Sequence, residues 1–520
     1  MAATTSGSTR CGGFSLVRAF LAALHCIGLA SAASAADLGS AIVVADQAAL
    51  RAAPRDSAPQ QTQLWQGEVL EVRGERMDHV QVWDHRRDRG GYVRASQLRR
   101  IQLTPKEAPE LLAWLRFSGE NAGAEALVIG LSAAYLKAAP AEDIQGTGGI
   151  EAFDALGSAA ERLARRASTG ANLNKSAQAA LSAHMDVAAR YGVRFVSYEW
   201  DGQMRICYEG EAFRRLLAMD ADATQKARAA LALTRPECMA PNLRAHEREQ
   251  MDAWRAQVLK RADPAAAPAY LGNRLRLRSA SLWSAVAYQR ARQGPMPAAS
   301  AALAPGDGAH QAFTRALSDL ASVKKTELTD EDLSAYEDAA MRVNASRWAA
   351  LPAAVFQDTG ARPSILTAPG QSGETCVMLV DSKNGADKPL ARRCTYSLVW
   401  AKSATLNREG NALALAVQPT PSWRELWLFR KEAGLWKVLV LPPASANPEL
   451  GYAEFAGWVP GGTQMLVARE ARSEGKYKRS YEVLRLDDLL IERQAFDATA
   501  LGPFQRWSDP AWKRDSLSLR

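Results

Sequence analysis

The first 35 residues constrain the rest of the chain most, because they are organised like an export signal. Arg10 and Arg18 give the segment a positive start, Phe20–Leu29 is apolar, and Ser31–Ala36 is a run of small residues. Signal peptidases recognise this order of features, which predicts cleavage after Ala35. The apolar run is shorter than the ~20 residues that a membrane helix needs. We therefore expect a periplasmic or secreted protein, with a buried N-terminal helix as the alternative.

The use of cysteine fits an oxidising compartment. Two of the six cysteines lie within the signal, and the mature chain keeps Cys207, Cys238, Cys376 and Cys394. Several connectivities are open to four cysteines, and pairing of sequence neighbours is the most economical. We predict the bridges Cys207–Cys238 and Cys376–Cys394, with four separate buried thiols as the alternative. No C-x-x-C motif is present, so a zinc ribbon is not indicated.

Length and composition indicate a globular protein of several domains. At 520 residues the chain is too long for one ordinary core, and roughly 150 residues per domain gives about three domains. Apolar residues make up 47%, charged residues 23%, and the mean hydropathy is −0.23. These values argue against a polytopic membrane protein, and we expect no transmembrane segment in the mature chain. The net charge of +8 is scattered, so it favours solubility and predicts no nucleic-acid partner.

Residues 36–103 have the pattern of a small β unit. Apolar and polar residues alternate over Gly67–Glu75 and again over Val80–Trp83, and turn residues separate these runs. Several short strands spaced by turns are typical of a small antiparallel barrel.

Three segments of this unit resemble the bacterial SH3-like (SH3b) domain. Leu50–Pro54 is similar to the family's opening L-x-V-R-x-G-P, Gly67–Val72 to its strand G-D-x-V-x-V, and Gly91–Leu98 to its ending G-W-V-x-x-x-x-L. The chain departs from the family at Ala53, where glycine is usual, and at Tyr92, where tryptophan is usual. The resemblance covers about 60 of the 520 residues. It implies an SH3-like barrel that holds a cell-wall peptide or a protein partner.

The ligand that this resemblance implies would lie in a groove of the barrel. In this chain Trp65, Trp83, Asp84 and Tyr92 are the candidates to line it. The alternative is that the two tryptophans belong to the core.

Residues 104–350 are predicted to form a mainly α-helical domain. Strong helix formers dominate this part, and Ala177–Tyr191 is an amphipathic run that stops at Gly192. Alternating residues on both sides of Asp201-Gly202 predict a β-hairpin inside the helical domain. The bridge Cys207–Cys238 would tie this hairpin to a following helix.

Residues 351–520 read as strands and contain two similar copies of one pattern. In the first copy Gly410–Ala416 precedes Glu425–Phe429, and in the second Gly462–Ala468 precedes Tyr481–Leu486. The copies resemble the blades of periplasmic β-propellers. Because two blades cannot close a propeller, we expect an incomplete, blade-like stack or a β-sandwich, with one face packed on the helical domain.

The chain lacks the familiar motifs of catalysis and metal binding. H-E-x-x-H, G-x-S-x-G and a phosphate-binding glycine loop are missing, so we expect no cofactor and no metal ion. Glu199, Asp201 and Glu209 cluster on the predicted hairpin, and two positioned carboxylates are what a glycosidase needs.

The sequence thus predicts a multi-domain α+β protein with an SH3-like barrel, a helical domain with a hairpin, and an antiparallel β domain. The expected function is that of an exported binding or scaffold protein, not an enzyme, with peptidoglycan or an envelope protein as partner. The alternative is a peptidoglycan-remodelling hydrolase that uses carboxylates of the central domain.

Overall fold

A computed structural model describes residues 39–169, 173–200, 202–293, 308–350, 362–445, 449–473 and 475–515. The predicted mixed α+β class is confirmed: antiparallel sheets begin the chain, helices fill the middle, and the C-terminal part is rich in β structure. The signal with its cleavage point at Ala35, and Asp201 of the hairpin, lie outside the described residues. None of the helices in the described ranges combines the length and the apolar character needed to cross a membrane.

The N-terminal region is an antiparallel sheet in the order β3-β2-β6-β5-β4-β1-β7. Its strands are β1 (Ser40–Val43), β2 (Gln47–Arg51), β3 (Gln60–Trp65), β4 (Val69–Arg76), β5 (His79–Asp84), β6 (Arg89–Arg94) and β7 (Leu98–Ile101). Alternate residues face inward, and Leu64, Val72, Val82 and Val93 are buried together. The sequence pattern did not reveal β3, because its run of glutamine and threonine contains only one fully buried apolar residue, Leu64.

The central region is helical, as predicted. Its helices are α1 (Ala108–Ser118), α2 (Glu125–Ala138), α3 (Ala141–Gln145), α4 (Thr147–Thr169), α5 (Lys175–Arg190), α6 (Glu211–Ala218), α7 (Ala223–Leu233), α8 (Ala245–Lys260), α9 (Ala269–Gln293), α10 (Ala309–Ala321) and α11 (Asp330–Ala345). The predicted hairpin is present as β8 (Phe195–Trp200) and β9 (Gln203–Tyr208). The bridge Cys207–Cys238 joins β9 to the turn that follows α7, so this predicted pairing is confirmed.

The C-terminal region contains a three-stranded sheet and a longer one. Its elements are β10 (Ser364–Pro369), β11 (Thr375–Val380), β12 (Ala391–Thr395), β13 (Leu398–Leu406), β14 (Ala412–Thr420), β15 (Trp423–Glu432), β16 (Leu435–Leu441), β17 (Leu450–Val459), β18 (Gln464–Ser473), β19 (Lys476–Arg485), β20 (Ile491–Ala495), α12 (Gly502–Trp507) and α13 (Pro510–Asp515). The second predicted bridge, Cys376–Cys394, links β11 to β12 and is confirmed as well.

The longer sheet consists of two antiparallel four-strand units. The first unit is β13–β16 and the second is β17–β20, and a short parallel pairing of Trp423-Arg424 with Gly451-Tyr452 connects them. The two copies of the sequence pattern fall on the second and third strands of each unit. The repeat predicted from the sequence therefore corresponds to a repeated supersecondary structure.

Apolar faces stack these units into layers. Val377 of β11 is buried in one apolar cluster with Leu415 of the first unit. On the opposite face of that unit, Leu428 belongs to a cluster that includes Phe455 of the second unit. The far face of the second unit is covered by Phe504 of α12. β14 is buried on both faces over its first part, and residues 412–417 accordingly form a continuous apolar run.

The last residues differ from the expectation that the whole of 351–520 is β structure. Helices α12 and α13 close the stack, and Pro503 at the start of α12 favours the first turn of a helix. These two helices therefore cover the face of the second unit that would otherwise be exposed. The helical region instead lies against the strand ends, through α11 and β17.

A buried carboxylate attaches the N-terminal sheet to the helices. Glu68, 2% exposed, accepts hydrogen bonds from Arg87 of the same sheet at 3.0 Å and from Arg190 of α5 at 3.1 Å. Next to it, the Tyr191 hydroxyl donates to the Gly67 carbonyl at 2.7 Å. These bonds fix the orientation of the sheet relative to α5.

A second buried carboxylate attaches the helices to the β units. Arg347, just after α11, donates two hydrogen bonds to Glu454 of β17, at 2.9 and 3.0 Å. Arg424 of β15 donates to the same carboxylate and is fully buried. Burial lowers the pKa of Arg424 to about 10, and the neighbouring charge of Glu454 opposes this.

Glu470 of β18 lies in the same contact region and is 8% exposed. It accepts a hydrogen bond from the Tyr452 hydroxyl at 2.9 Å. Burial raises the pKa of its carboxyl to about 7, against the opposing effects of Tyr452 and Arg479.

The raised pKa of Glu470 predicts that the stability of the fold depends on pH, and that a substitution of Glu470 removes this dependence. Between the ordinary value of 4.5 and about pH 7 the folded chain keeps a proton that the unfolded chain loses, so stability falls as the pH rises. We expect Glu470→Gln to be more stable than the wild type at pH 8, by up to about 3 kcal/mol, and to lose this advantage towards pH 4.5. Thermal midpoints measured across this range test it, and parallel profiles for the two proteins would contradict it.

Candidate binding face on the N-terminal sheet

The outward side of β4, β5 and β6 holds an aromatic ring in a fixed position. The guanidinium carbon of Arg73 lies 4.2 Å from the centre of the Trp83 ring. Beneath the ring, a Cβ atom on Gly90 would come within 2.8 Å of Trp83 Cε3. The indole therefore lies between a cation and bare backbone, and only glycine at position 90 leaves room for it.

Tyr92 shares this side of the sheet with Trp83. In the register of β5 and β6, Trp83 pairs with Gly90 and Gln81 pairs with Tyr92. Directly paired residues and residues two apart on a strand lie on the same face, so both aromatic rings face outward. Both side chains are partly exposed.

Charged groups of both signs surround Trp83. The Glu71 carboxylate accepts a hydrogen bond from Arg73 Nε at 3.1 Å and interacts with His85 Nε2 at 2.5 Å. The hydrogen bonds from Arg73 and then from His85 lower the pKa of Glu71. This face, defined by Glu71, Arg73, Trp83, His85 and Tyr92, is called the aromatic face below.

Trp65 does not join the aromatic face. Its ring meets the edge of His184 on α5, with centroids 6.3 Å apart and planes at 88°. His184 is buried, and burial together with the charge of Arg166 lowers its pKa. Trp65 thus packs between the sheet and the helices.

Asp84 does not belong to the aromatic face either, because its carboxylate is buried and hydrogen-bonded. It is 3% exposed and accepts hydrogen bonds from the Arg86 amide at 3.0 Å and from Arg87 Nη1 at 2.5 Å. Hydrogen bonds from Arg87 to Glu68 and Asp84 raise the pKa of that guanidinium. Of the four predicted groove residues, the structure therefore brings Trp83 and Tyr92 onto one open face and places Trp65 and Asp84 in internal contacts.

The carboxylates considered for catalysis are far apart on the hairpin. Glu199 pairs with Met204 near the tip, whereas Glu209 follows β9 at its base and lies 2.8 Å from Arg194. Five residues of strand separate the paired positions, which is about 17 Å at the usual rise. Glycosidase carboxylates lie roughly 5 to 9.5 Å apart.

Among the residues that the structure describes, one group brings three potential metal donors close together, namely Glu374, Cys376 and Cys394. The two cysteines are joined to each other, so neither offers a thiolate.

Comparison with family models, curated proteins and solved structures finds no match for this chain. The assignment of a function therefore depends on the geometry of the chain itself.

Sequence reasoning missed Glu71, Arg73 and His85. A signal was present: positions 71 and 73 are the polar positions of an alternating strand, on the face opposite Leu70 and Val72. Pairing that strand with the next one would have placed them beside Trp83.

Proposed function

We propose that the chain is an exported cell-envelope protein that binds a cell-wall peptide or an envelope protein through the aromatic face. The observation that carries this proposal is the fixed indole of Trp83, held between Arg73 and the backbone of Gly90, with Tyr92 on the same face. A rigid aromatic ring loses little entropy on binding, and mixed charges beside it give specificity.

We further propose that the N-terminal sheet is an SH3-like barrel and that the two four-strand units are blades of an incomplete propeller. The seven antiparallel strands and the order of the three SH3b-like segments support the first assignment. The face-to-face packing of two similar four-strand units supports the second. In this assignment the barrel presents the ligand site and the remaining regions form a scaffold.

The competing hypothesis, a wall hydrolase, has less support. The separation of Glu199 and Glu209 on the hairpin does not fit a carboxylate pair.

Retention on purified peptidoglycan sacculi tests the proposed function. We expect the mature protein to sediment with sacculi without releasing soluble muropeptides. Trp83→Ala and Tyr92→Ala should each weaken retention at least about tenfold, because each removes an aromatic anchor at the centre of the face. Tyr396→Ala, at an exposed tyrosine of the C-terminal region, is the matched control and should bind like the wild type.

Unchanged thermal midpoints in all variants would show that the fold is intact. Retention that survives both aromatic substitutions would refute the aromatic face, and muropeptide release would favour the hydrolase.

Export makes a separate prediction about processing and thiols. We expect the protein from the periplasmic fraction to begin near Ala36, to gain no mass on alkylation without reduction, and to yield the linked peptides of Cys207–Cys238 and Cys376–Cys394. Full-length chain in the cytosol with reduced thiols would contradict the proposed location.

A further inference from the structure

Arg73 of the aromatic face occupies an irregular position in the sheet. The residues on either side of it, Val72 and Gly74, pair with consecutive residues of β5, so Arg73 is an extra residue in β4. A bulge of this kind bends the strand and redirects the side chain at the bulge. Here the side chain lies over Trp83, with the guanidinium carbon 4.2 Å from the ring centre. The local backbone therefore directs a cation onto the largest ring of the face.

One edge of the Arg73 guanidinium is bound, and its end is open. Nε donates to the Glu71 carboxylate at 3.1 Å, whereas neither terminal nitrogen bonds to any residue that the structure describes. The side chain is 42% exposed, so a ligand can reach this end. Stacking on Trp83 and the bond to Glu71 fix the plane of the guanidinium. Its two terminal nitrogens match the two oxygens of a carboxylate in that plane.

Other arginines that lie over tryptophan rings use their terminal nitrogens within the fold. Arg99 and Arg347 lie 4.4 and 4.3 Å from the centres of such rings. Nη2 of Arg99 binds Glu110, and Nη2 of Arg347 binds Glu454 at 3.0 Å. These two guanidinium groups join elements of the chain, whereas the end of Arg73 is available to a molecule from outside.

Two uncharged polar groups continue the aromatic face beside Arg73. Gln81 of β5 pairs with Gly74 of β4 on one side and with Tyr92 of β6 on the other, so all three lie in one row across the sheet. A Cβ atom on Gly74 would lie 3.3 Å from Gln81 Oε1, which places this amide over the residue that follows Arg73. Within the described ranges, the Gln81 amide and the Tyr92 hydroxyl have no hydrogen-bond partner.

The charges of the aromatic face favour an anionic ligand. Its one carboxylate, that of Glu71, is already bound by Arg73 at 3.1 Å and by His85 at 2.5 Å. The five residues that define the face therefore offer an open cation and no open anion. An amide such as that of Gln81 both donates and accepts, as a peptide group does. A carboxylate next to a peptide group is the arrangement found at the C-terminus of a peptide.

We propose that the aromatic face binds the free C-terminal carboxylate of a peptide. The carboxylate lies on the end of Arg73, the peptide group before it lies on Gln81, and the adjoining side chain packs against Tyr92. This inference rests on the function proposed above and names the part of the peptide that is recognised.

Peptides that differ only in the terminal group test this proposal on the mature protein. We expect N-acetyl-trialanine with a free carboxylate to bind at least about tenfold more tightly than its C-terminal amide, measured by NMR titration. The amide cannot accept the paired, charge-assisted hydrogen bonds from Arg73. The same pair of peptides with D-alanine at the last two positions identifies the source of the ligand. Tighter binding of the D form assigns the site to a cell-wall peptide, and tighter binding of the L form assigns it to a protein C-terminus.

Arg73→Gln should remove the preference for the free acid. Arg73→Lys should reduce it, because an ammonium group keeps the charge and lacks the planar pair of nitrogens. Arg100→Gln is the matched control and should keep the preference, since Arg100 lies on β7 of the same sheet and its side chain is 40% exposed. Unchanged thermal midpoints would show that each variant is folded.

The proposal is overturned if the acid and the amide bind the wild type equally, if neither binds, or if Arg73→Gln keeps the preference. Equal binding of both peptides that is lost in Trp83→Ala would overturn the carboxylate alone and leave the aromatic face as the binding site. Absence of peptide binding together with absence of retention on sacculi would overturn the proposed function as well.

Discussion

The structure depends on a single buried carboxylate, that of Glu454, which two arginines share. Arg347 comes from the end of the helical region and Arg424 from the first four-strand unit, while Glu454 itself belongs to the second unit. Removing three charged groups from water is expensive, and their attraction offsets that only when all three are in place. The contact therefore specifies one arrangement of three parts of the chain.

A buried carboxylate shared by two arginines also occurs where the helical region meets the N-terminal sheet. There Glu68 of the N-terminal sheet is bound by Arg87 of that sheet and by Arg190 of α5. In both places a buried carboxylate is bound by arginines from two different parts of the chain. The aromatic face lies on the outward side of the N-terminal sheet, where a ligand can reach it.

The sequence predicted those secondary-structure elements whose residues form a clear local pattern. Alternation along β4, β5 and β6 and the double-sided burial of β14 leave direct patterns, and those elements were predicted. The strand β3 is polar because it lies at a sheet edge, and the helices α12 and α13 form where they cover an apolar face; neither has a strong local pattern.

Prediction of the site residues depended more on tertiary structure than prediction of the secondary-structure elements did. Trp83 and Tyr92 could be predicted to share a face from alternation. That Trp65 turns towards His184, and Asp84 towards Arg87, depends on where α5 and the β5–β6 turn lie.

Hydrogen–deuterium exchange on Glu454→Gln most directly tests whether this shared carboxylate joins the helices to the β units. Loss of the negative charge removes the carboxylate that Arg347 and Arg424 both bind, at a cost of about 3 to 5 kcal/mol. If the Glu454 carboxylate joins these regions, its loss should speed exchange in α11 and β17 together and leave exchange in β4–β6 unchanged. The control Glu492→Gln should have no effect on exchange in any of these elements. Exchange in α11 and β17 that stays at the wild-type rate would contradict it.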